Sequence, residues 1–130
     1  MFIKKIYSMV VCFATTIVLL VTLSITFNGF ITLFLPEYTN KEALIRYSTN
    51  EQFLQFKSHD KYLYKQLEGL SPKELEKRRM SYKHKYIEII KGRAVSTIIS
   101  NSIWIIVSLV FFIVHWKIYQ NTQSYSERKE

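Results

Sequence analysis

Two stretches without a charged side chain constrain this sequence more than any other feature. From Ile6 to Pro36 there are 31 consecutive positions with no Asp, Glu, Lys or Arg, and from Ala94 to Trp116 there are 23 if His115 is counted neutral. A bilayer hydrocarbon core of about 30 Å is crossed by roughly 20 helical residues. Both runs are therefore long enough to span. Backbone N–H and C=O groups in hydrocarbon have to be satisfied within the segment, so each run is read as a helix and not as an open strand. The mean hydropathy of +0.03 hides this, because it averages two very apolar segments with a very polar one.

The expected fold is an all-α membrane protein: two transmembrane helices joined by a basic extramembrane α-helical hairpin. Its parts are a short basic N-terminal segment (1–5), a first span (6–35), an extramembrane hairpin (36–93), a second span (94–116) and a polar tail (117–130). Lys4 and Lys5 ahead of an apolar run resemble a secretory signal. A signal's apolar region is usually about 7–15 residues and ends at a small-residue cleavage site. This run is about twice as long and has no Ala-x-Ala, so it is read as a retained span. It is expected to tilt, to bend near Asn28-Gly29 or to project beyond the membrane.

Between the spans, helix signals are strong. "TNKE" (Thr39–Glu42), "STNE" (Ser48–Glu51) and "SPKE" (Ser71–Glu74) each set a hydroxyl three residues before a glutamate, the capping-box spacing. Pro72 suits the first helical position, and Gly69 suits a helix stop. Phe53, Phe56, Leu63, Leu67 and Leu70 form one apolar face, and Leu75, Tyr82, Tyr86, Ile89 and Ile90 form another. The spacing predicts helical arms over about 50–68 and 72–92, antiparallel because only "GLS" separates them. The second arm is expected either to continue into the second span as one helix or to kink at Gly92.

The chain carries a formal charge of +8, with thirteen of its eighteen basic residues between Lys41 and Arg93. The densest cluster is Lys77, Arg78, Arg79, Lys83, Lys85, Lys91 and Arg93, with Glu88 the one acid among them. Beside an apolar span, such a cluster reads as a contact for anionic lipid headgroups or for a partner protein, at about 1 kcal/mol per basic residue near the surface. The same charges also solvate the domain and set topology. Nine basic residues near the loop ends of the spans against three at the other ends (Lys4, Lys5, Lys117) favour a cytoplasmic loop in a plasma or inner membrane. Within the spans, Asn28 and Asn101 each lie seven residues from the loop end, and an interhelical amide pair between them is expected, supported by Thr32 and Thr97.

No catalytic, metal or cofactor constellation is visible. His59, His84 and His115 are scattered, Cys12 is the only cysteine and lies in the first apolar run, and three glycines make no phosphate loop. Tyr82 and Tyr86 among basic residues resemble a stacking surface, but they fall at core spacing, so neither nucleic acid nor a small-molecule substrate is expected. The functional expectation is a non-enzymatic accessory or binding subunit whose hairpin docks on a larger membrane complex or an anionic surface, with Phe56 and Tyr64 offered to a partner protein. A self-associating protein that acts on or protects the membrane, of the phage lysis, toxin, immunity or exclusion type, is the alternative.

Overall fold

A computed structural model describes residues 2–127 of the chain. Among these residues there is helix and turn and no strand: α1 (Phe2–Phe34), α2 (Pro36–Thr39), α3 (Lys41–Ile45), α4 (Asn50–Lys57), α5 (Lys61–Glu68) and α6 (Pro72–Glu127). Two of these helices, α1 and α6, are long and apolar enough to cross a membrane. The chain divides into two compact units, one made of the residues up to Gly29 together with those from Ser96 onward, the other of Phe30–Val95.

In the first unit, one seam of α1 holds Ser8, Cys12, Thr15, Leu19, Thr22, Thr26 and Gly29, all buried or half-buried. They recur at alternating steps of four and three. Along α6 a matching seam holds Asn101, Ile105, Ser108, Phe112, His115, Tyr119 and Thr122, also buried or half-buried and with the same alternation. A 3.5-residue repeat keeps one seam of each helix facing its neighbour, as in a left-handed coiled coil. The helices run antiparallel. Lys5 Nζ lies 5.6 Å from the Tyr119 ring centroid, the Tyr7 and His115 rings are 5.7 Å apart, and Cys12 Sγ faces Phe112 O at 4.0 Å. On the α1 side the seam is made mostly of small residues, which lets the two backbones approach closely.

The seam hydroxyls do not bridge the helices. Thr15 donates to Val11 O at 2.9 Å, Thr22 to Val18 O at 2.8 Å and Thr26 to Thr22 O at 2.7 Å, each one turn back along its own helix. Each hydroxyl is thereby satisfied. Ser8 is the exception: it is fully buried and its Oγ has no partner.

The second unit is built around Phe53, which is 0% exposed. Leu44, Tyr47, Leu67 and Leu75 complete the buried cluster, and Leu54, Phe56, Leu63, Leu70, Tyr82, Tyr86 and Ile87 pack half-buried against it. The Phe53 ring centroid is 5.5 Å from that of Tyr82 and 6.0 Å from that of Tyr47. Each fully buried apolar side chain of this size contributes roughly 1.5–3 kcal/mol. The apolar positions expected on 50–68 all reach this core. On α6, however, Ile90 is buried while Ile89 is exposed.

The stretch expected as one helix over 50–68 is two helices. Asp60 accounts for the break, because its Oδ1 accepts the Leu63 N–H at 3.0 Å and so caps α5. A second difference lies at α4, whose cap is Thr49, accepting from Gln52 N at 3.2 Å, and not Ser48. The "TNKE" box does not form: Asn40 caps α3 without a side-chain bond, and Thr39 Oγ1 lies 3.4 Å from Pro36 O. The "SPKE" box forms in full, with Ser71 Oγ donating to Glu74 Oε2 at 2.6 Å, Ser71 N donating to the same oxygen at 3.2 Å and Glu74 N donating to Ser71 Oγ at 3.4 Å. From there α6 continues as one helix through Gly92 and past Trp116 to Glu127, so the expected tail is helical over 117–127. Residues 128–130 of that tail lie outside the described residues.

Candidate functional site

The basic stretch of α6 separates into two groups with different tasks. Arg79 and Lys83 hold the second unit together. Arg79 Nη1 donates to Ser48 O at 2.6 Å and its Nη2 lies 3.5 Å from Glu76 Oε1, while Lys83 Nζ pairs with Glu37 Oε1 at 2.8 Å. Asn50 adds a parallel tie, its Nδ2 donating to Pro72 O at 3.2 Å. These bonds fasten the segments before and at the start of α4 to α6. Arg79 suits this task because its guanidinium reaches a carbonyl and a carboxylate at once.

Lys77, Arg78, Lys85, Lys91 and Arg93 are exposed. Among the described residues no ion pair engages any of the five. Their spacing orders them. Lys77 and Lys91 lie fourteen residues apart with His84 midway, and Arg78 and Lys85 lie seven apart, so each set lines up along the helix. At 100° per residue these rows lie beside and behind the face that carries Leu75, Tyr82 and Tyr86 into the core. The one acid within the stretch, Glu88, has its Oε1 3.4 Å from His84 Nε2, one turn back on the helix. The result is an exposed, predominantly cationic surface along one helix, ending where the apolar run from Ala94 begins.

The aromatic residues are used differently from expectation. Phe56 was expected to face a partner. Instead Arg46 lies over its ring at 4.5 Å and Lys57 at 4.9 Å. Lys57 also sits 4.5 Å from the Tyr82 centroid and 6.0 Å from that of Phe53. Its ammonium is thus enclosed by three rings, each attracting it through the ring quadrupole. Burial lowers the Lys57 pKa, Asp60 opposes the shift and Arg46 adds to it. The Tyr47 hydroxyl is raised, chiefly by burial, with the Arg46 charge opposing. Tyr64 OH donates to Glu68 Oε1 at 3.3 Å, and the Glu68 charge raises its pKa. Sequence reasoning missed the Lys57 enclosure, whose signal is Lys57 directly after Phe53 and Phe56 on one helical turn.

The expected amide pair is corrected. Asn101 Nδ2 donates to Thr97 O at 2.9 Å on its own helix, and Asn28 is exposed. The three contacts across the seam join residues whose numbers add to between 122 and 124. Carried along both helices, that register sets Asn101 opposite Thr22 and not Asn28. Counting inward from Leu35 and Ala94 misplaced the pair because those two residues do not share a level. The seam of small residues on α1 was missed as well, although Ser8, Cys12, Thr15, Thr22, Thr26 and Gly29 show it at heptad spacing.

Among the described residues no group of three or more His, Cys, Asp or Glu side chains could hold a metal ion. No protein-family model, curated protein or solved structure matches the chain.

Proposed function

We propose that this chain is a non-enzymatic integral membrane protein with two spans, whose basic extramembrane unit docks on an anionic membrane surface as an accessory or binding subunit. One observation carries the reading. The helix that bears the exposed cations Lys77, Arg78, Lys85, Lys91 and Arg93 is the same helix that bears the second apolar run. Lys91 and Arg93, within about 5 Å of Ala94 along the helix axis, lie inside a Debye length of the headgroups, where each adds about 1 kcal/mol, while Lys77, Arg78 and Lys85 extend the same surface away from the span.

The membrane reading is supported by what the long helices leave uncovered. In the most apolar stretch of α1 17% of the residues are buried, and in that of α6 6%. Soluble proteins rarely expose contiguous apolar patches beyond a few hundred Å². Lipid removes that cost. In this reading the second unit is the extramembrane helical hairpin, with arms over about 50–68 and 72–92 and the first arm broken at Asp60 into α4 and α5. Nine basic residues near the loop ends of the spans against three at the other ends favour a cytoplasmic side for this unit, at the plasma or inner membrane. The outward-facing Tyr38 and Tyr62 are the aromatic side chains offered to a larger membrane complex, in place of Phe56 and Tyr64.

The test is amine-reactive labelling of the full-length protein in vesicles. Lys91 should be protected in bilayers containing phosphatidylglycerol and reactive in pure phosphatidylcholine, with the protection lost at high salt and with Lys77, farthest from the span, the least protected lysine of the stretch. Equal reactivity in both lipids would overturn the docking surface.

A further inference from the structure

A second feature of the Phe30–Val95 unit lies apart from the exposed rows of α6. Glu37, Lys41, Leu44, Ile45, Ser48 and Lys83 line an open cavity of about 220 Å³. At roughly 30 Å³ of liquid volume per water, that is room for about seven waters, enough for a small polar headgroup. Three charges stand in its wall. Lys83 and Glu37 pair at 2.8 Å, and Lys41, one turn beyond Glu37, is exposed and enters no ion pair among the described residues.

We propose that this cavity is a headgroup site for a phospholipid bearing a primary amine, with the phosphate seated between Lys41 and Lys83 and the ammonium on Glu37. The inference rests on the membrane reading given above. The two cations and one carboxylate of the wall complement a zwitterion, the lysines answering its phosphate and Glu37 its ammonium, with the Lys83–Glu37 pair left in place. A headgroup that is only anionic would set its charge beside Glu37 and offer that carboxylate nothing. A trimethylammonium has no N–H to donate to it.

The lipid form of this chemistry is favoured over the free headgroup by the apolar surface around the cavity. Leu44 and Ile45 line the wall itself. Ile45 and, nearby in sequence, Phe34, Leu35 and Tyr38 are exposed, with Tyr38 at 81%. Glu37 follows the last residue of α1 by three positions. Exposed aromatic and aliphatic side chains next to cations at the end of a span belong at the headgroup level.

Native mass spectrometry of the full-length protein, released from detergent with equal amounts of phosphatidylethanolamine, phosphatidylcholine and phosphatidylglycerol of matched acyl chains, tests the site. The wild type should retain phosphatidylethanolamine about fivefold over phosphatidylcholine, the most that a solvent-exposed ion pair supplies. Glu37→Gln should erase that preference, and Lys41→Ala, which touches no structural pair, should lower retention of both lipids. Circular dichroism checks that Glu37→Gln still folds, and Lys41→Ala keeps the test decisive if it does not. Equal retention of phosphatidylethanolamine and phosphatidylcholine, or retention dominated by phosphatidylglycerol and increased by Glu37→Gln, would overturn the headgroup site while leaving the docking surface standing. Competition by soluble glycerophosphoethanolamine at concentrations equal to the lipid would overturn the lipid assignment. A chain that stays in solution without detergent and retains no lipid would overturn the membrane reading itself.

Discussion

Replacing Phe53 with alanine removes the one large apolar side chain that the second unit buries completely. Its ring meets Tyr82 and Tyr47 at 5.5 and 6.0 Å, and Lys57 rests over it at 6.0 Å, so truncation leaves a cavity that three neighbours have to fill or endure. Phe-to-Ala changes in cores cost roughly 3–5 kcal/mol. Small domains are stable by only about 5–15 kcal/mol, so this is a large share of the total. Amide hydrogen exchange of the full-length protein in detergent reads the effect by position. Exchange of the protected amides in α4, α5 and the part of α6 from Leu75 to Ile90 should accelerate by roughly 100- to 1,000-fold or more. Acceleration below about fivefold, equivalent to roughly 1 kcal/mol, would refute the assignment of Phe53 as the keystone of that core.

Three further outcomes follow from single contacts. The Glu74 carboxyl is held below its usual 4.5, first by the Ser71 hydroxyl and second by the Ser71 N–H. Its folded pKa is therefore the lower one, so its contribution is complete above about pH 4.5 and is lost as pH falls below that value. Glu74→Gln should flatten the acid dependence of helicity as pH falls below 4.5, as followed by circular dichroism, and an unchanged profile would count against the capping box. Gly92 lies in a helix interior, and a methyl group added there would meet nothing within 4 Å, so Gly92→Ala should stabilise by about 0.5–1 kcal/mol in a denaturant titration. Thr22→Leu and Thr26→Leu push bulk into a seam built from small residues and should cost roughly 1–3 kcal/mol each, whereas Asn28→Leu, on the exposed side of α1, should be nearly neutral in the same titration.

The long-range chemistry of this chain was easier to read than its local contacts. Both apolar helices, the capping box at Ser71 and the core positions Phe53, Leu67 and Leu75 follow from period, charge and composition, because burial and bilayer thickness leave few alternatives. The break at Asp60 did not follow, since a side chain that caps a helix also looks like a solvated residue on a longer one. The Asn28–Asn101 pair failed for a related reason. Depth counted from the ends of apolar runs assumes that the two ends share a level, and only real contacts, such as that of Cys12 with Phe112, fix the register. The sequence also did not show that Arg46 and Lys57 lie over the Phe56 ring from within the chain, since neither cation's direction can be read from its spacing. Which basic residues are free and which are fasteners was also hidden, because Arg79 and Lys83 differ from Arg78 and Lys85 only in the direction they face.

The central claim is that the Phe30–Val95 unit stands between two membrane crossings, and topology tests it most directly. In a Cys12→Ser background, single cysteines at Ser58, Ser71 and Asn121 would be probed with an impermeant maleimide on intact cells and again after lysis. Two crossings with a cytoplasmic basic unit predict labelling of Asn121→Cys on intact cells and labelling of Ser58→Cys and Ser71→Cys only after lysis. The same accessibility at all three positions would contradict the two crossings, and the reverse pattern would contradict the cytoplasmic placement of the basic unit.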